Sequence, residues 1–354
     1  MELNLYYLNI PLKQPYKLAF GEVSHFDTFI VHYFYNDQHF FGEATALPGY
    51  SWEYPDAIWN KIEEWISASS SIKKLINIIQ SEAVKYPFAA SAPLTAFNKL
   101  ISPIPFNKCS IPIIGIVSSD DPQIIEDQIS NYIQNGHKTI KIKVKGNVLE
   151  DLKKIQFIQS IINSDTKLRI DANQGYEFNS CKELFSTLDP TQIELFEQPF
   201  KPDKWDEMST MVRQTSIPLM LDESIWQEQD IIKTAELGCA KYVKLKLFKH
   251  CSPENTLNLI ELARKNNLEV IFGNGVQSDL GSYDEALIYN HSGLQNDSEI
   301  NGFLKQTAAI IKEPMLCSDG KIKVTAPPEI DFDILTRLTV KSLSVNMNMD
   351  IHQS

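Results

Sequence analysis

The chain has 354 residues, enough for roughly two or three domains, and its 45 acidic against 33 basic side chains give a net charge of −12. This acidity disfavours a general nucleic-acid binder, which needs a basic face. No apolar run approaches the roughly 18 residues of a membrane span, and the N-terminus lacks a signal-peptide pattern, so we expect a cytoplasmic protein with no nucleic-acid or membrane partner.

Metal chemistry through sulfur or imidazole is not indicated. The five cysteines are odd in number and widely spaced, without a CxxC pair, and the seven histidines form no HxH or HxxxH pair. We therefore expect free thiols in a reducing compartment, and neither a disulfide framework nor a zinc site.

The first hundred residues predict a mixed region of strands and helices. Leu3–Leu8 and Phe29–Tyr35 are rich in aromatic and β-branched residues, which is typical of strands, and the polar stretch Phe20–Phe26 lies between them. Residues 55–66 and 73–85 have helical patterns. Two prolines in the SPIPF segment that follows indicate a boundary, since proline cannot continue a helix.

From residue 111 the pattern becomes regular, with short apolar runs that alternate with amphipathic helical segments. Near-continuously apolar runs are typical of parallel strands covered by helices, and seven or eight consecutive βα units favour a (β/α)8 barrel over an open sheet. No GxGxxG follows a strand, which disfavours a dinucleotide-binding fold. The apolar runs are residues 111–117, 138–144, 168–173, 193–199, 218–224, 242–248 and 269–274, with a weak eighth at 298–301.

The regular pattern stops after residue 315. The tail contains an Asp-Gly turn followed by a Lys-Ile-Lys-Val strand, and we expect it to pack back on the N-terminal region. The predicted domains are therefore a capping domain of residues 1–107 completed by residues 315–354, and a catalytic barrel of residues 108–314.

Three carboxylates end three successive predicted strands. Asp171, Glu197 and Asp222 are 26 and 25 residues apart, one βα unit each, so in a barrel all three point to the C-terminal mouth, where active sites form. Any one of them could simply cap the next helix, but three in phase favour a shared role. Like charges raise one another's pKa, and a hard divalent cation relieves this repulsion. Ligands that are all oxygen indicate Mg²⁺.

Lysines lie on two sides of the predicted barrel. Lys141 and Lys143 alternate on the second strand, and Lys244 and Lys246 alternate on the sixth, so the two members of each pair share one face. Strands two and six are opposite in a ring of eight, which places Lys143 and Lys246 across the metal from each other. A single lysine is as well explained by snorkelling from a strand end, but the opposed pair favours catalysis.

These residues together suit the removal of a proton α to a carboxylate. Coordination of that carboxylate by a metal stabilises the enediolate that forms. Burial and neighbouring positive charge lower the pKa of a lysine towards the range in which it acts as a base. Two opposed lysines favour racemisation or epimerisation, whereas one base facing a cationic lysine would serve elimination or lactonisation.

The same residues resemble the enolase superfamily, and within it the muconate-lactonizing-enzyme subgroup of the mandelate racemase/muconate lactonizing enzyme family. The resemblance covers essentially the whole chain and implies an α/β fold, a modified (β/α)8 or (β/α)7β TIM-type barrel with an α+β capping domain. It also implies one Mg²⁺ per subunit, with Mn²⁺ as the alternative ion. The matching motifs are KIKV at 141–144, DAN at 171–173, EQP at 197–199, DES at 222–224 and KLKLFK at 244–249.

The resemblance implies a role for each matching position. Lys143 and Lys246 resemble the bases on strands two and six, and Lys141 resembles the lysine that modulates its partner. The implied metal ligands are Asp171, Glu197 and Asp222, and the groups that support them are Asn173, Glu223 and Lys244. The residues expected to contact substrate, in the cap loops and at the ends of the last strands, are Phe20, Tyr50, Asn274, Gln277, Glu299 and Asn301.

The sequence also departs from the family pattern. Lys145 stands where glycine is usual after KxKV, and Cys251-Ser252 replaces a common glycine pair. The Asp-x-Asp with which dipeptide epimerases hold a substrate ammonium appears here as Glu299-Ile300-Asn301, which disfavours a dipeptide epimerase. The paired lysines disfavour the His/Asp dyad of mandelate racemase.

The leading hypothesis is an Mg²⁺-dependent isomerase of a small carboxylate substrate, that is a racemase, an epimerase or a muconate-type cycloisomerase. A lyase on the same site, such as an o-succinylbenzoate synthase or another acid dehydratase, is the alternative. A metal-dependent hydrolase and a catalytically silent binding protein are more distant alternatives. We also expect a homo-oligomer, since symmetric association is common among soluble enzymes.

Overall fold

The computed structural model describes residues 1–18 and 21–350. The strands are β1 (Glu2–Leu18), β2 (Gly21–Tyr35), β3 (Gln38–Thr45), β4 (Cys109–Pro112), β5 (Gly115–Val117), β6 (Thr139–Lys143), β7 (Lys167–Asp171), β8 (Ile193–Glu197), β9 (Leu219–Leu221), β10 (Tyr242–Leu245), β11 (Glu269–Phe272), β12 (Leu316–Ser318), β13 (Lys321–Val324) and β14 (Thr339–Asn346).

The helices alternate with the strands through the middle of the chain. They are α1 (Pro55–Ser67), α2 (Ile72–Glu82), α3 (Pro87–Ile101), α4 (Pro122–Gln134), α5 (Val148–Ile161), α6 (Phe178–Thr187), α7 (Trp205–Val212), α8 (Glu228–Leu237), α9 (Pro253–Lys265), α10 (Asp279–Ser292) and α11 (Phe332–Leu338), with short 3₁₀ turns at Leu247–Lys249 and Phe303–Lys305. Within the described ranges, none of these helices is long and apolar enough to cross a membrane.

An antiparallel sheet in the order β14–β1–β2–β3 forms the N-terminal layer. Its apolar face packs against α1 and α3, with Phe29, Trp65 and Phe88 in one buried cluster. Residues 21–26 of the polar stretch between the two predicted strands belong to β2, because the register of β2 with β1 continues to the pair Leu18 and Gly21. The sequence patterns also missed β3 and α3.

Gly42 marks the closest approach of α3 to this sheet. A Cβ atom at this position would lie 2.1 Å from the carbonyl oxygen of Ala92 and 2.6 Å from the nitrogen of Ala96. Because both atoms belong to the helix backbone, Gly42→Ala forces the helix and the sheet apart. We expect the free energy of unfolding, measured in denaturant, to fall by about 3 kcal/mol.

The control for this substitution is Gly238→Ala. Gly238 has a left-handed φ of +58°, and nothing lies within 4 Å of its added Cβ atom. We therefore expect this variant to lose only about 1 kcal/mol, from backbone strain alone. Equal losses in the two variants would contradict the close approach at Gly42.

Seven parallel strands in the order β5–β6–β7–β8–β9–β10–β11 form the second sheet, and helices α4 to α10 alternate with them along the chain. The predicted run 111–117 is not one strand. It divides into β4, which pairs with β13, and β5, which joins the parallel sheet. The change of partner falls at Ile113, which donates to Gly320 O, and Ile114, which donates to Ser298 O.

The segment 298–301 connects the two edges of the parallel sheet. Glu299 N donates to Phe272 O of β11 at 2.9 Å, and Ile114 N, just before β5, donates to Ser298 O at 3.1 Å. The weak eighth apolar run therefore lies in the eighth position of the ring, although it is too short to form a named strand. The predicted TIM-type barrel is confirmed.

The tail residues divide between two sheets. β12 and β13 form a hairpin around Asp319 and Gly320, both in the left-handed region, and β13 pairs with β4. β14 pairs with β1 at the edge of the N-terminal sheet, for example at Leu5 and Leu343. The boundaries at residues 107/108 and 314/315 stay a prediction.

The alternation of side chains along the barrel strands positions the functional groups. Phe196, Leu221 and Val243 face the surrounding helices in the main core cluster. Their neighbours point into the barrel, where a separate small cluster forms a layer of Leu195, Met220, Tyr242 and Ile271. The next inward positions towards the C-terminal end are polar, which puts charged side chains at the mouth of the barrel.

Candidate active site

Lys141 and Lys244 lie at the centre of the barrel mouth between buried carboxylates. The ammonium of Lys141 is 3.0 Å from Asp171 Oδ2, 2.5 Å from Glu197 Oε2 and 3.1 Å from Glu299 Oε2. The ammonium of Lys244 is 3.0 Å from Glu197 Oε1 and 2.5 Å from Glu299 Oε2. Parallel pairing places Asp171 beside Glu197, so adjacent strands bring these acids together.

A second group forms around Asp222, just after β9. Lys246 Nζ lies 2.7 Å from Asp222 Oδ2 and 3.0 Å from the hydroxyl of Tyr50. That hydroxyl donates to Asp222 Oδ1 at 2.8 Å, so Tyr50 reaches from the cap to the barrel. Lys249 donates to Asp222 O at 2.6 Å and lies 4.4 Å from the Trp226 ring. Lys246 is therefore held in place by the cap as well as by the barrel.

Lys143 stands on the other side of the mouth in a different environment. In the part of the chain that the structure describes, its ammonium forms no ion pair, and the Tyr16 ring centroid lies 6.0 Å away. Lys143 pairs with Asp171 in the strand register, and both side chains line one cavity with Lys246 and Asp222. The two predicted bases thus face the same space.

The groups expected to support the metal ligands lie next to them. Asn173 N donates to Asp171 Oδ1 at 3.0 Å, and its side chain contacts Glu223 Oε1 at 3.4 Å. Glu223 Oε2 is buried without a hydrogen-bond partner among the described residues. The side-chain oxygen of Gln198 accepts from Asp222 N at 2.9 Å, a positioning contact that sequence reasoning did not find.

Only some of the residues predicted to contact substrate line the cavity. Tyr50, Asn274 and Glu299 line the cavity. Gln277 is fully buried behind it, where its oxygen accepts from Asn274 Nδ2 at 2.8 Å. Asn301 accepts from Lys305 Nζ through Oδ1 at 2.9 Å. Phe20 lies outside the described residues. The roles of these six residues stay predictions.

The cavity itself is small. Its volume is about 90 Å³, which is room for a few water molecules. Tyr50 closes one side through its contacts with Lys246 and Asp222.

Burial and charge shift the pKa values of this cluster in opposite directions. Burial, with a contribution from Asp171, raises the pKa of Glu197 to about 8, although Lys141 and Lys244 oppose the shift. At Asp222 burial also acts upward, but Lys246 and the neighbouring lysines outweigh it and hold the pKa well below its usual range. Burial thus disfavours the charged form of Glu197, whereas the lysines around Asp222 hold that carboxyl in its charged form.

The donor set fits a hard divalent cation in its chemistry and its position. The acids Asp171, Glu197 and Asp222 offer only oxygen, at the ends of three adjacent strands, and the Lys141 ammonium already bridges two of them as a cation. As the side chains stand, no three His, Cys, Asp or Glu side chains within residues 1–18 and 21–350 are grouped closely enough to hold a metal ion. Lysine ammonium groups lie between the carboxylates instead.

Sequence reasoning missed several charged residues of the site. Lys249 ends the KLKLFK motif, and burial lowers its pKa to about 7. Arg169 is fully buried on β7, two residues before Asp171, and donates to Glu194 Oε2 at 2.6 Å. The sequence did offer a signal for Arg169, because this residue is a charged one within a predicted apolar strand run. Lys305 had no such signal, because it follows the last barrel segment.

Glu299 links the two central lysines, and its removal should destabilise the fold. Burial favours the neutral acid, but Lys141 and Lys244 hold the pKa of Glu299 well below its usual range. Glu299→Gln leaves two buried ammonium groups short of one negative charge. We expect the free energy of unfolding in metal-free buffer at pH 7 to fall by about 3 kcal/mol.

The matched control is Glu261→Gln, which removes one charge of the exposed pair between Glu261 and Arg264. Its unfolding midpoint should stay where it is in the wild type. The Glu299 contribution should also disappear on acidification, because an acid with a lowered folded pKa loses its stabilising effect as the pH falls through that pKa. A Glu299→Gln variant as stable as the wild type at pH 7 would contradict this account.

Comparison with known proteins identifies the family. Residues 125–328, more than half of the chain, match the model of the family described as "Enolase C-terminal domain-like". The chain is 25% identical over 331 residues to the N-succinyl-L-Arg/Lys racemase of Bacillus cereus, covering 87% of this chain and 88% of the racemase. It is 25% identical to a D-Ala-D/L-Ala epimerase of Cytophaga hutchinsonii, covering 79% and 80%, and 23% identical to an o-succinylbenzoate synthase of Listeria innocua, covering 97% of both chains.

The fold agrees with these matches. The crystal structure of the Bacillus cereus N-succinyl Arg/Lys racemase superposes with a TM-score of 0.87, at 24% identity and over 98% of this chain and 99% of that one. At 24% identity, the superposition is evidence for a shared fold and for nothing more specific. The family match, which includes all three acids and both lysine pairs, speaks for the superfamily. The chain therefore belongs to the Enolase C-terminal domain-like family of the enolase superfamily, within the muconate-lactonizing-enzyme subgroup.

Proposed function

We propose that the protein is an isomerase that removes the proton α to a substrate carboxylate and returns it on the opposite face, as a racemase or epimerase. The observation that carries this proposal is the position of Lys143 and Lys246. Three strands lie between β6 and β10 on one side of the ring, and β11, segment 298–301 and β5 lie between them on the other. The two lysines therefore face one cavity from opposite walls.

The surroundings of each lysine suit a different step. Lys246 is held by Asp222 and Tyr50 at 2.7 and 3.0 Å, which fixes its amine at one wall of the cavity. Lys143 has no ionic partner within the described ranges, so no carboxylate holds its side chain away from a substrate in the cavity. Lys141 and Lys244 stay paired with Glu197 and Glu299, and their charge supports an anion bound at the mouth.

The proposed cofactor is Mg²⁺, with Mn²⁺ as the alternative ion, and Asp171, Glu197 and Asp222 are the residues that would hold it. A bound cation would stabilise the negative charge that develops on the substrate carboxylate when the α-proton leaves. The predicted cytoplasmic location and homo-oligomeric state stay expectations.

A lyase on the same site is the second candidate, and the o-succinylbenzoate synthase of Listeria innocua is the relative that favours it, since the match spans 97% of both chains. One lysine would then act as the base and the other as a fixed cation. Muconate-type cycloisomerisation uses the same groups. The opposed lysines favour the racemase or epimerase, because elimination and lactonisation need only one base.

The test is a screen for exchange of the α-proton in D₂O with Mg²⁺. The substrates are N-acylamino acids, dipeptides, muconates and sugar acids, and the products are followed by NMR and chiral chromatography. Exchange with interconversion of the two stereoisomers supports the isomerase, whereas loss of water supports the lyase. Absence of exchange throughout, with hydrolysis of an ester or amide instead, would overturn the proposal.

A further inference from the structure

Lys305 is a charged side chain of the barrel mouth that the proposed reaction does not use. It ends the 3₁₀ turn Phe303–Lys305, is half-buried, and reaches back to Gly275, which lines the cavity. Its ammonium donates to Gly275 O at 2.8 Å and to Asn301 Oδ1 at 2.9 Å. The third N–H has only a long contact of 3.5 Å to Asn301 O, so one donor is available to a ligand.

Gly275 shows where this donor could meet a ligand. A Cβ atom added at Gly275 would lie 2.9 Å from Lys305 Nζ, 3.2 Å from Asn301 Oδ1 and 3.8 Å from the Tyr16 hydroxyl. Three polar groups therefore converge on one side of a glycine that lines the cavity. A side chain at residue 275 would separate them, and glycine keeps this space open.

The charge at this end of the cavity is unbalanced. Lys141, Lys244 and Lys246 each lie within 3.1 Å of a carboxylate oxygen. For Lys305 and Lys143, the described part of the chain supplies no ion pair, and both ammonium groups instead approach the Tyr16 ring, at 5.2 and 6.0 Å. Two lysine side chains without an ion-pair partner among the described residues therefore flank one tyrosine, and an anion bound at this wall of the cavity would find donors there.

The electrostatic surroundings of Lys305 disfavour its charged form. Burial, with further contributions from Lys143 and Lys141, lowers the pKa of Lys305 to about 7, against the opposing effect of Glu299. An anionic group bound beside it would reverse this shift and keep the ammonium charged.

We propose that Lys305 and the Tyr16 hydroxyl bind a second anionic group of the substrate, so that the preferred substrates are dianions. This inference rests on the proposed function and names its substrate class: an acid that carries a second carboxylate away from the reacting carbon. A substrate with an ammonium in that place, such as a dipeptide, would meet Lys305 with like charge and be disfavoured.

The test compares matched pairs of substrates that differ only in the second charge. The pairs are N-succinyl- and N-acetylamino acids, muconate and its monomethyl ester, and aldaric and aldonic acids. For each class in which the wild type exchanges the α-proton, kcat and KM are measured for both members. We expect the wild type to favour the dianion by at least about 10-fold in kcat/KM.

The variant is Lys305→Gln, and the matched control is Lys13→Gln. The exposed Lys13 contacts the same turn, but among the described residues its ammonium donates only to Leu304 O, and not to Gly275 or Asn301. Lys305→Gln should raise KM for the dianion by about 10- to 100-fold and leave kcat and KM of the monoanion within about 2-fold. Lys13→Gln should change neither. Lys305→Glu should move the preference towards dipeptides, which carry an ammonium.

Two results would overturn this inference while the proposed function stands. One is a wild type that exchanges both members of each pair equally well. The other is a Lys305→Gln variant that loses both activities to the same degree, which would make Lys305 only an anchor for the loops of Gly275 and Asn301. Absence of α-proton exchange in every class would instead overturn the proposed function itself and this inference with it.

Discussion

Lys246→Ala should abolish α-proton exchange of one substrate enantiomer, and Lys143→Ala should abolish exchange of the other. The two lysines line opposite walls of the cavity, so under the proposed function each would remove the proton from only one enantiomer. A positioned general base contributes about 10²- to 10⁴-fold to the rate, and we expect losses of that size. The measurement is the initial rate of deuterium incorporation into each pure enantiomer, followed by NMR.

Lys145→Ala is the control for these variants. Lys145 directly follows the same β6 region but is exposed and pairs with Asp120, so its removal should leave both exchange rates unchanged. The two-base account would be wrong if either alanine variant lost exchange of both enantiomers to the same degree. In that case one lysine is the base and the other a cation, which is the arrangement that suits a lyase or a cycloisomerase.

Asp222→Asn should abolish both turnover and the response of the protein to Mg²⁺. The substitution removes an anionic ligand of the proposed metal and leaves Lys246, now 2.7 Å from Asp222 Oδ2, without its ionic partner. Ligand binding to the folded state stabilises it by about 2.7 kcal/mol when the free ligand is at 100 times its Kd. The wild type should therefore show a higher unfolding midpoint in Mg²⁺ than in EDTA, and the variant should not.

Glu183→Gln provides the comparison, since this exposed acid lies on α6 away from the cavity. It should keep the full Mg²⁺-dependent shift and full activity. Calorimetric titration with Mg²⁺ separates lost binding from a general loss of stability. An Asp222→Asn variant that binds Mg²⁺ and turns over substrate as the wild type does would refute the ligand assignment.

Local patterns were sufficient for most strands of the barrel and for the phase of their side chains. The positions of Asp171, Glu197 and Asp222 follow from the repeat of one βα unit, and parallel pairing sets Asp171 beside Glu197. The same reasoning failed where a segment changes partner. Residues 111–117 read as one apolar run, yet hydrogen bonds to Gly320 and Ser298 divide it between two sheets.

The sequence by itself determined the order of βα units, the superfamily and the candidate acids and lysines, because these depend on spacing along the chain and on side-chain alternation. The tertiary structure alone decided which charges meet. Glu299 binds both central lysines across 158 and 55 residues of chain, and Tyr50 of the cap reaches Lys246 across 196. Lys305 joins Gly275 and the Tyr16 ring in the same way. Such contacts join residues far apart in the chain, and they form only when the barrel closes and the cap packs on it. Local sequence patterns carry no information about these long-range contacts.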